Sequence, residues 1–211
     1  MDTIAAGDVA DFITRLAEVM PTHEQTLRDL DAQIGDGDLG VTVSLGTRAM
    51  ADGLADLSGE DPGTVLAKSG MAFNRAAAST FGVIFATMLM SMGKTVRGKD
   101  SLAVTDLPEM FEAAVEGVKS RGGAELGEKT VLDVLAPMAD ALRESADAGA
   151  SVPETIAAAT EACHEALEAT KEMVGKHGRA GWFKERTAGV PDPGCLALCL
   201  MMDALREMIE V

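Results

Sequence analysis

The chain has 211 residues, 34 acidic against 18 basic side chains, a formal net charge of −16 and three cysteines. So large a surplus of carboxylates repels both a phosphate backbone and an anionic lipid surface, which excludes nucleic acid and membrane as partners. Apolar residues make up 47% but aromatic ones only 3%, with no tyrosine, a composition that favours helices over strands.

The length fits one domain spanning 1–211. An acidic N-terminus where a signal peptide needs a basic one, and a longest apolar run, Val83 to Met92, too short to span a bilayer, point to a cytoplasmic protein. Cys195 and Cys199 stand one helical turn apart with a lone third cysteine, which sets neither a disulfide framework nor a metal pattern.

In chain order, Val9, Phe12, Ile13, Leu16, Val19 and Met20 recur at helical spacing and predict a first helix ending near Pro21. A second runs from about Thr22 to Ile34 and stops at Gly35-Asp36-Gly37-Asp38-Leu39-Gly40. A third starts near Gly40 and carries Val41, Leu45 and Ala49; Asp61-Pro62 caps a fourth. Residues 80–96 are apolar nearly all round and predict a helix in the middle of a bundle. Further helices are predicted from Thr105 and Pro108 to Gly122, from Lys129 to Ala148 with a kink at Pro137, from the capping box at Ser151 and Glu154 to about Val174, and from Cys195 to Ile209. No segment alternates as a strand does. The expectation is an all-α fold, an antiparallel barrel or bundle of about eight helices joined by short loops.

Two connections depart from that pattern, the Asp-Gly loop and the stretch 175–194, and long or unusual loops in compact domains are commonly functional. Asp31, Asp36 and Asp38 sit where a helix end and a glycine-permitted turn bring three carboxylates together, with no lysine or arginine between Asp29 and Thr47 to offset them. Oxygen ligands without histidine or cysteine select magnesium, manganese or calcium. Counting twelve positions from Asp31 or Asp36 finds no terminal glutamate, so the loop is not an EF-hand. Magnesium leaves positions open for phosphate oxygens, and the amides at Gly40 to Thr42 offer an anion a helix N-terminus. The other reading is an ordinary solvated turn. The stretch 175–186 holds four lysines and arginines and the only tryptophan, as a lid over an anion would, or as a surface loop offsetting nearby acids would.

Three motifs in order resemble the nucleotide-binding subunit of bacterial dihydroxyacetone kinases. They are Leu30-Asp31-x-x-Ile34-Gly35-Asp36-Gly37-Asp38-x-Gly40, Ser120-Arg121-Gly122-x-Ala124-x-x-Gly127-x-Lys129-Thr130-x-x-Asp133, and Gly178-Arg179-Ala180 through Glu185-Arg186 to Asp192-Pro193-Gly194. The resemblance covers essentially the whole chain. It implies an antiparallel helical barrel with ADP or ATP at one end, held through two magnesium ions on Asp31, Asp36 and Asp38. It further implies nucleotide contacts from Leu39, Gly40, Val41, Thr42, Ser79, Thr80, Gly122, Val131, Arg179, Asp192, Pro193 and Gly194, with Arg179 as the catalytic cation. The implied partners are a ketose-binding kinase subunit, which holds its sugar on a histidine, and a phosphoryl-donor protein of the phosphotransferase system. Two positions depart from the family pattern: Leu39 stands where histidine is usual, and Ala78-Ser79-Thr80-Phe81-Gly82 where the family reads Gly-Gly-x-Ser-Gly. These leave a second function open, an ADP-bearing module that reports phosphorylation state to another protein.

Overall fold

The computed structural model describes residues 3–210. Ten helices occur among them: α1 (Ala6–Val19), α2 (Glu24–Ile34), α3 (Leu39–Asp52), α4 (Pro62–Ala76), α5 (Thr80–Thr95), α6 (Asp106–Gly122), α7 (Leu132–Asp147), α8 (Val152–Ala169), the single turn α9 (Ala180–Phe183) and α10 (Pro193–Glu210). Their starts follow local chemistry. The Asp61 carboxylate accepts the Thr64 amide at 3.0 Å ahead of Pro62, and Ser79 Oγ accepts the Gly82 amide at 2.9 Å to open α5. Glu154 accepts the Ser151 amide at 2.8 Å at the head of α8. Gly123, at φ +63°, ends α6 in the left-handed conformation that glycine adopts without strain.

Eight of these helices close a ring. α3 packs on α4, and so in turn through α5, α6, α7 and α8 to α10, which meets α1, which returns to α3. Helix α2 lies against α3 and α10 and brings its C-terminus to one end of the ring. One contiguous apolar cluster, including Leu16, Val43, Phe73, Leu135, Leu142 and Cys199, fills the interior, together with an apolar cavity of about 340 Å³. The all-α barrel expected from composition and periodicity is the observed architecture, and no helix among the described residues is long and apolar enough to cross a membrane.

Several local expectations need correction. Two three-residue strands, β1 (Thr3–Ala5) and β2 (Ser101–Ala103), pair antiparallel with Ile4 opposite Leu102; they are too short for alternation to register. Helix α3 buries Leu39, Val43, Gly46, Thr47 and Met50 and turns Val41 and Leu45 outward, 37% and 48% exposed. Small residues on that face let it approach closely, and a Cβ on Gly46 would collide with the Phe73 ring. Helix α7 begins at Leu132 rather than Lys129, whose φ of +59° is not helical. Helix α10 starts at Pro193, two residues before the predicted Cys195. Finally, Cys163 on α8 and Cys199 on α10 are joined in a disulfide with Cα atoms 5.7 Å apart, and Cys195 alone is free. The pair is invisible in spacing because it depends on α8 packing against α10.

Candidate functional site

At the end of the ring where α2 stops, Asp31, Asp36 and Asp38 each present a ligand oxygen, all within 4.8 Å of one another. The turn that allows this is built by two glycines. Gly37 takes φ +73°, and any Cβ on Gly35 would strike the Asp31 carboxylate. Asp31 in turn accepts the amides of Asp38 at 3.0 Å and Leu39 at 3.3 Å, which fixes the loop against the helix it leaves. Partial burial, and secondarily the charge of Asp31, push the Asp38 carboxyl above its ordinary range. A divalent cation would reverse both effects, and three carboxylate oxygens on a mostly open rim suit a hard ion that keeps free positions for other oxygens.

The triad forms one wall of a cleft of about 390 Å³. Of the residues singled out in the sequence, Asp31, Asp36, Asp38, Leu39, Ser79, Thr80, Gly122, Val131, Arg179, Asp192, Pro193 and Gly194 all line it. Gly40, Val41 and Thr42 do not. A Cβ on Gly40 would meet the Glu24 carbonyl, Val41 faces outward, and the Thr42 amide already donates to the Asp38 carbonyl at 2.9 Å. Leu39, where a histidine is usual, is 7% exposed and belongs to the apolar core. Phe81 also lines the cleft and stacks on Phe85 with ring centroids 5.8 Å apart and planes 9° apart, so its ring is seated on the core.

The loop between α8 and α10 closes over this cleft, and it is less irregular than its glycines suggest: α9 is followed by a 3-10 turn at Lys184–Thr187. Most of its basic residues have partners. Arg179 ion-pairs with Asp36, so the counter-ion missing from the acidic segment arrives from the far end of the chain. His177 and Lys176 meet Glu128, whose carboxyl is held down to about 2 by the Glu125 amide, then by His177 and Lys176. Arg186 lies 5.4 Å from the centre of the Phe183 ring, and Trp182 is 81% exposed.

Sequence reasoning missed what holds the base of this loop. Lys129 is 2% exposed, and its Nζ donates to the carbonyls of Thr170, Met173, Thr187 and Val190 at 2.7, 3.2, 2.8 and 2.6 Å. Burial pulls the Lys129 pKa down while the Asp192 charge opposes it. Burial likewise raises Asp192, whose carboxylate accepts the Cys195 amide at 2.8 Å and so caps α10 at the cleft. Asp133 accepts the amides of Gly127 at 2.5 Å and Thr130 at 2.7 Å, which shapes the turn that carries Val131 into the cleft. A lysine followed by Thr-x-x-Asp was legible as a motif, but the partners of its ammonium were not.

The DAK2 domain family matches residues 33–207. The ADP-binding subunit DhaL of the PEP-dependent dihydroxyacetone kinase of Escherichia coli K12 is 30% identical over 203 residues, 96% of this chain and 97% of its own. The corresponding subunit of kinase 2 of Listeria innocua is 32% identical over 212 residues, 100% of this chain and 96% of its own. An L-erythrulose 1-kinase of Mycolicibacterium smegmatis is 31% identical over 204 residues, but the match spans only 35% of that longer protein. Among solved structures, the dihydroxyacetone kinase of C. freundii in complex with AMP-PNP and Mg2+ superposes with a TM-score of 0.71 at 24% identity, over 99% of this chain and 35% of that one. The helical ring with its acidic end cleft therefore defines a kinase-type barrel. The chain belongs to the DAK2-domain family.

Proposed function

We propose that this chain is the nucleotide-binding unit of a dihydroxyacetone-type ketose kinase, holding ADP or ATP in the cleft between α2, α5, α7 and α10. The observation that carries the reading is the convergence of Asp31, Asp36 and Asp38 in one cleft with Arg179 and the N-terminus of α10. Relatives matched over nearly their whole length are ADP-binding subunits of such kinases.

The three carboxylates fit magnesium, two ions by the family resemblance, and bound magnesium supplies charge neutralisation at the phosphates. The protein groups do the rest by position. Asp31, Asp36 and Asp38 orient the phosphate end, and Arg179 brings a fork of donors to the oxygens on which negative charge develops. Helix α5 keeps its cap in spite of the altered glycine stretch, because Ser79 Oγ still accepts the Gly82 amide.

The ketose is supplied by a partner subunit, and the chain works with a phosphoryl-donor protein in the cytoplasm. A sugar held covalently needs a nucleophile, and the histidines are either outside the cleft or already engaged: His164 pairs with Asp203 at 2.8 Å, His177, which lines the cleft, is held by Glu128 at 2.5 Å, and His23 ends a 3-10 turn away from the cleft. The purified chain with magnesium-ATP and dihydroxyacetone is expected to form no sugar phosphate until a ketose-binding subunit is added, after which the rate rises with that subunit's concentration. Turnover by the chain alone at about one per second, an ordinary kinase rate, would place the acceptor site here instead.

A further inference from the structure

A lysine that is 2% exposed is uncommon, and Lys129 combines that burial with a second cost. Its backbone lies at φ +59°, in the left-handed region where a residue with a Cβ is disfavoured. Desolvating an ammonium and placing it on a strained backbone are tolerated together only where the surroundings fix both. What fixes them is a cage of four main-chain oxygens.

Those oxygens belong to two strands of chain running in opposite senses. Thr170 and Met173 leave α8, whereas Thr187 and Val190 return toward α10. Around the cage, the Gly189 amide donates to the Lys171 carbonyl at 2.8 Å, the Gly175 amide to Thr187 Oγ1 at 2.8 Å, and the Asp192 amide to Thr170 Oγ1 at 3.0 Å. Thr170 and Thr187 are both fully buried. The limbs are thus clamped at their base, while the tip holds the exposed Arg179 against Asp36. The same turn that strains Lys129 also delivers Val131 to the cleft.

We infer that Lys129 is a positioning residue of the nucleotide site: its ammonium pins both limbs of the 171–190 loop to the turn before α7 and thereby sets Arg179 over the acidic triad. The inference rests on the nucleotide reading for its consequence, but not for the clamp itself. Four carbonyl oxygens at 2.6 to 3.2 Å from one nitrogen also match the environment that a dehydrated potassium or ammonium ion accepts. Emptying the cage should therefore create a site that such an ion refills.

Two variants of the full chain test this. Lys129→Met keeps the stem and removes the charge, and Lys129→Gly suits the backbone and opens the cage. Without nucleotide, amide exchange in 171–190 should speed up about tenfold or more in the Met and Gly variants, with α4 and α5 unchanged, since local openings are read independently of the global one. Magnesium-ADP binding by calorimetry should weaken about tenfold or more in both. Ammonium or potassium, but not lithium, should restore loop protection and affinity in the Gly variant while leaving the Met variant as it was. Unchanged loop exchange in both variants overturns the inference. So does protection lost equally in every helix, which would make Lys129 a general stability residue, or a Gly variant indifferent to ammonium. A parent that binds no magnesium-ADP overturns the nucleotide reading, while the exchange and rescue measurements still decide the clamp.

Discussion

Asp36 is the carboxylate on which the acidic turn and the C-terminal loop converge. Its pair with Arg179 joins side chains 38% and 51% exposed, so solvent screening leaves it worth only about 0–1 kcal/mol. Removing it should hardly touch the fold. Asp36→Asn is expected to shift the melting temperature of the nucleotide-free protein by no more than about 4 °C, the span of about 1 kcal/mol for a chain of this size, while abolishing magnesium-ADP binding. A melting temperature lowered far beyond that would mean the turn is a structural device first. Glu128 gives a pH signature. Its carboxyl is depressed from 4.5 to about 2, so its anchorage of His177 and Lys176 is complete above 4.5 and is lost as pH falls toward 2. The anisotropy of Trp182, the only tryptophan, should fall across that window before helical circular dichroism does, and Glu128→Gln should show the low value already at pH 7. Anisotropy that holds until the helices melt would contradict the anchor.

Among the elements, α3 shows best why periodicity alone misplaced a face. Val41, Leu45 and Ala49 make an apolar stripe on paper, but Gly40, Gly46 and Thr47 form a flatter surface that α2 and Phe73 can reach closely. Close approach of backbones wins over the size of the side chains, because it lets many neighbouring atoms reach contact distance. Gly46→Ala should therefore destabilise by about 1–3 kcal/mol through overpacking against Phe73, although alanine is the better helix former, which denaturant melts would measure. A gain in stability would show that Phe73 moves aside freely. The helix starts, by contrast, were readable because their causes are local: Asp61 with Pro62, Ser79 with Gly82, and Ser151 with Glu154 lie within three residues of each other.

At the scale of the whole molecule, the same division by distance decides what the sequence disclosed. The acidic triad was legible because Asp31, Asp36 and Asp38 need only one helix end and one glycine turn to meet. Arg179 was legible as a loop cation but not as the partner of Asp36. Lys129 was hidden because its four acceptors lie 41 to 61 residues downstream and are main-chain oxygens that carry no sequence signal. The disulfide between Cys163 and Cys199, 36 residues apart, was hidden for the same reason. Closing the ring by packing α10 on α1 and α8 is what brings these distant segments to one end and makes the cleft.

Whether this cleft holds a nucleotide through metal ions on the acidic triad is decided by native mass spectrometry of the full chain incubated with magnesium and ADP. The expected spectrum shows one added ADP with two magnesium ions on the parent, and neither on Asp36→Asn folded to the same melting temperature. A parent that carries no ADP, or an Asp36→Asn variant that carries ADP and metal as the parent does, would contradict the nucleotide reading.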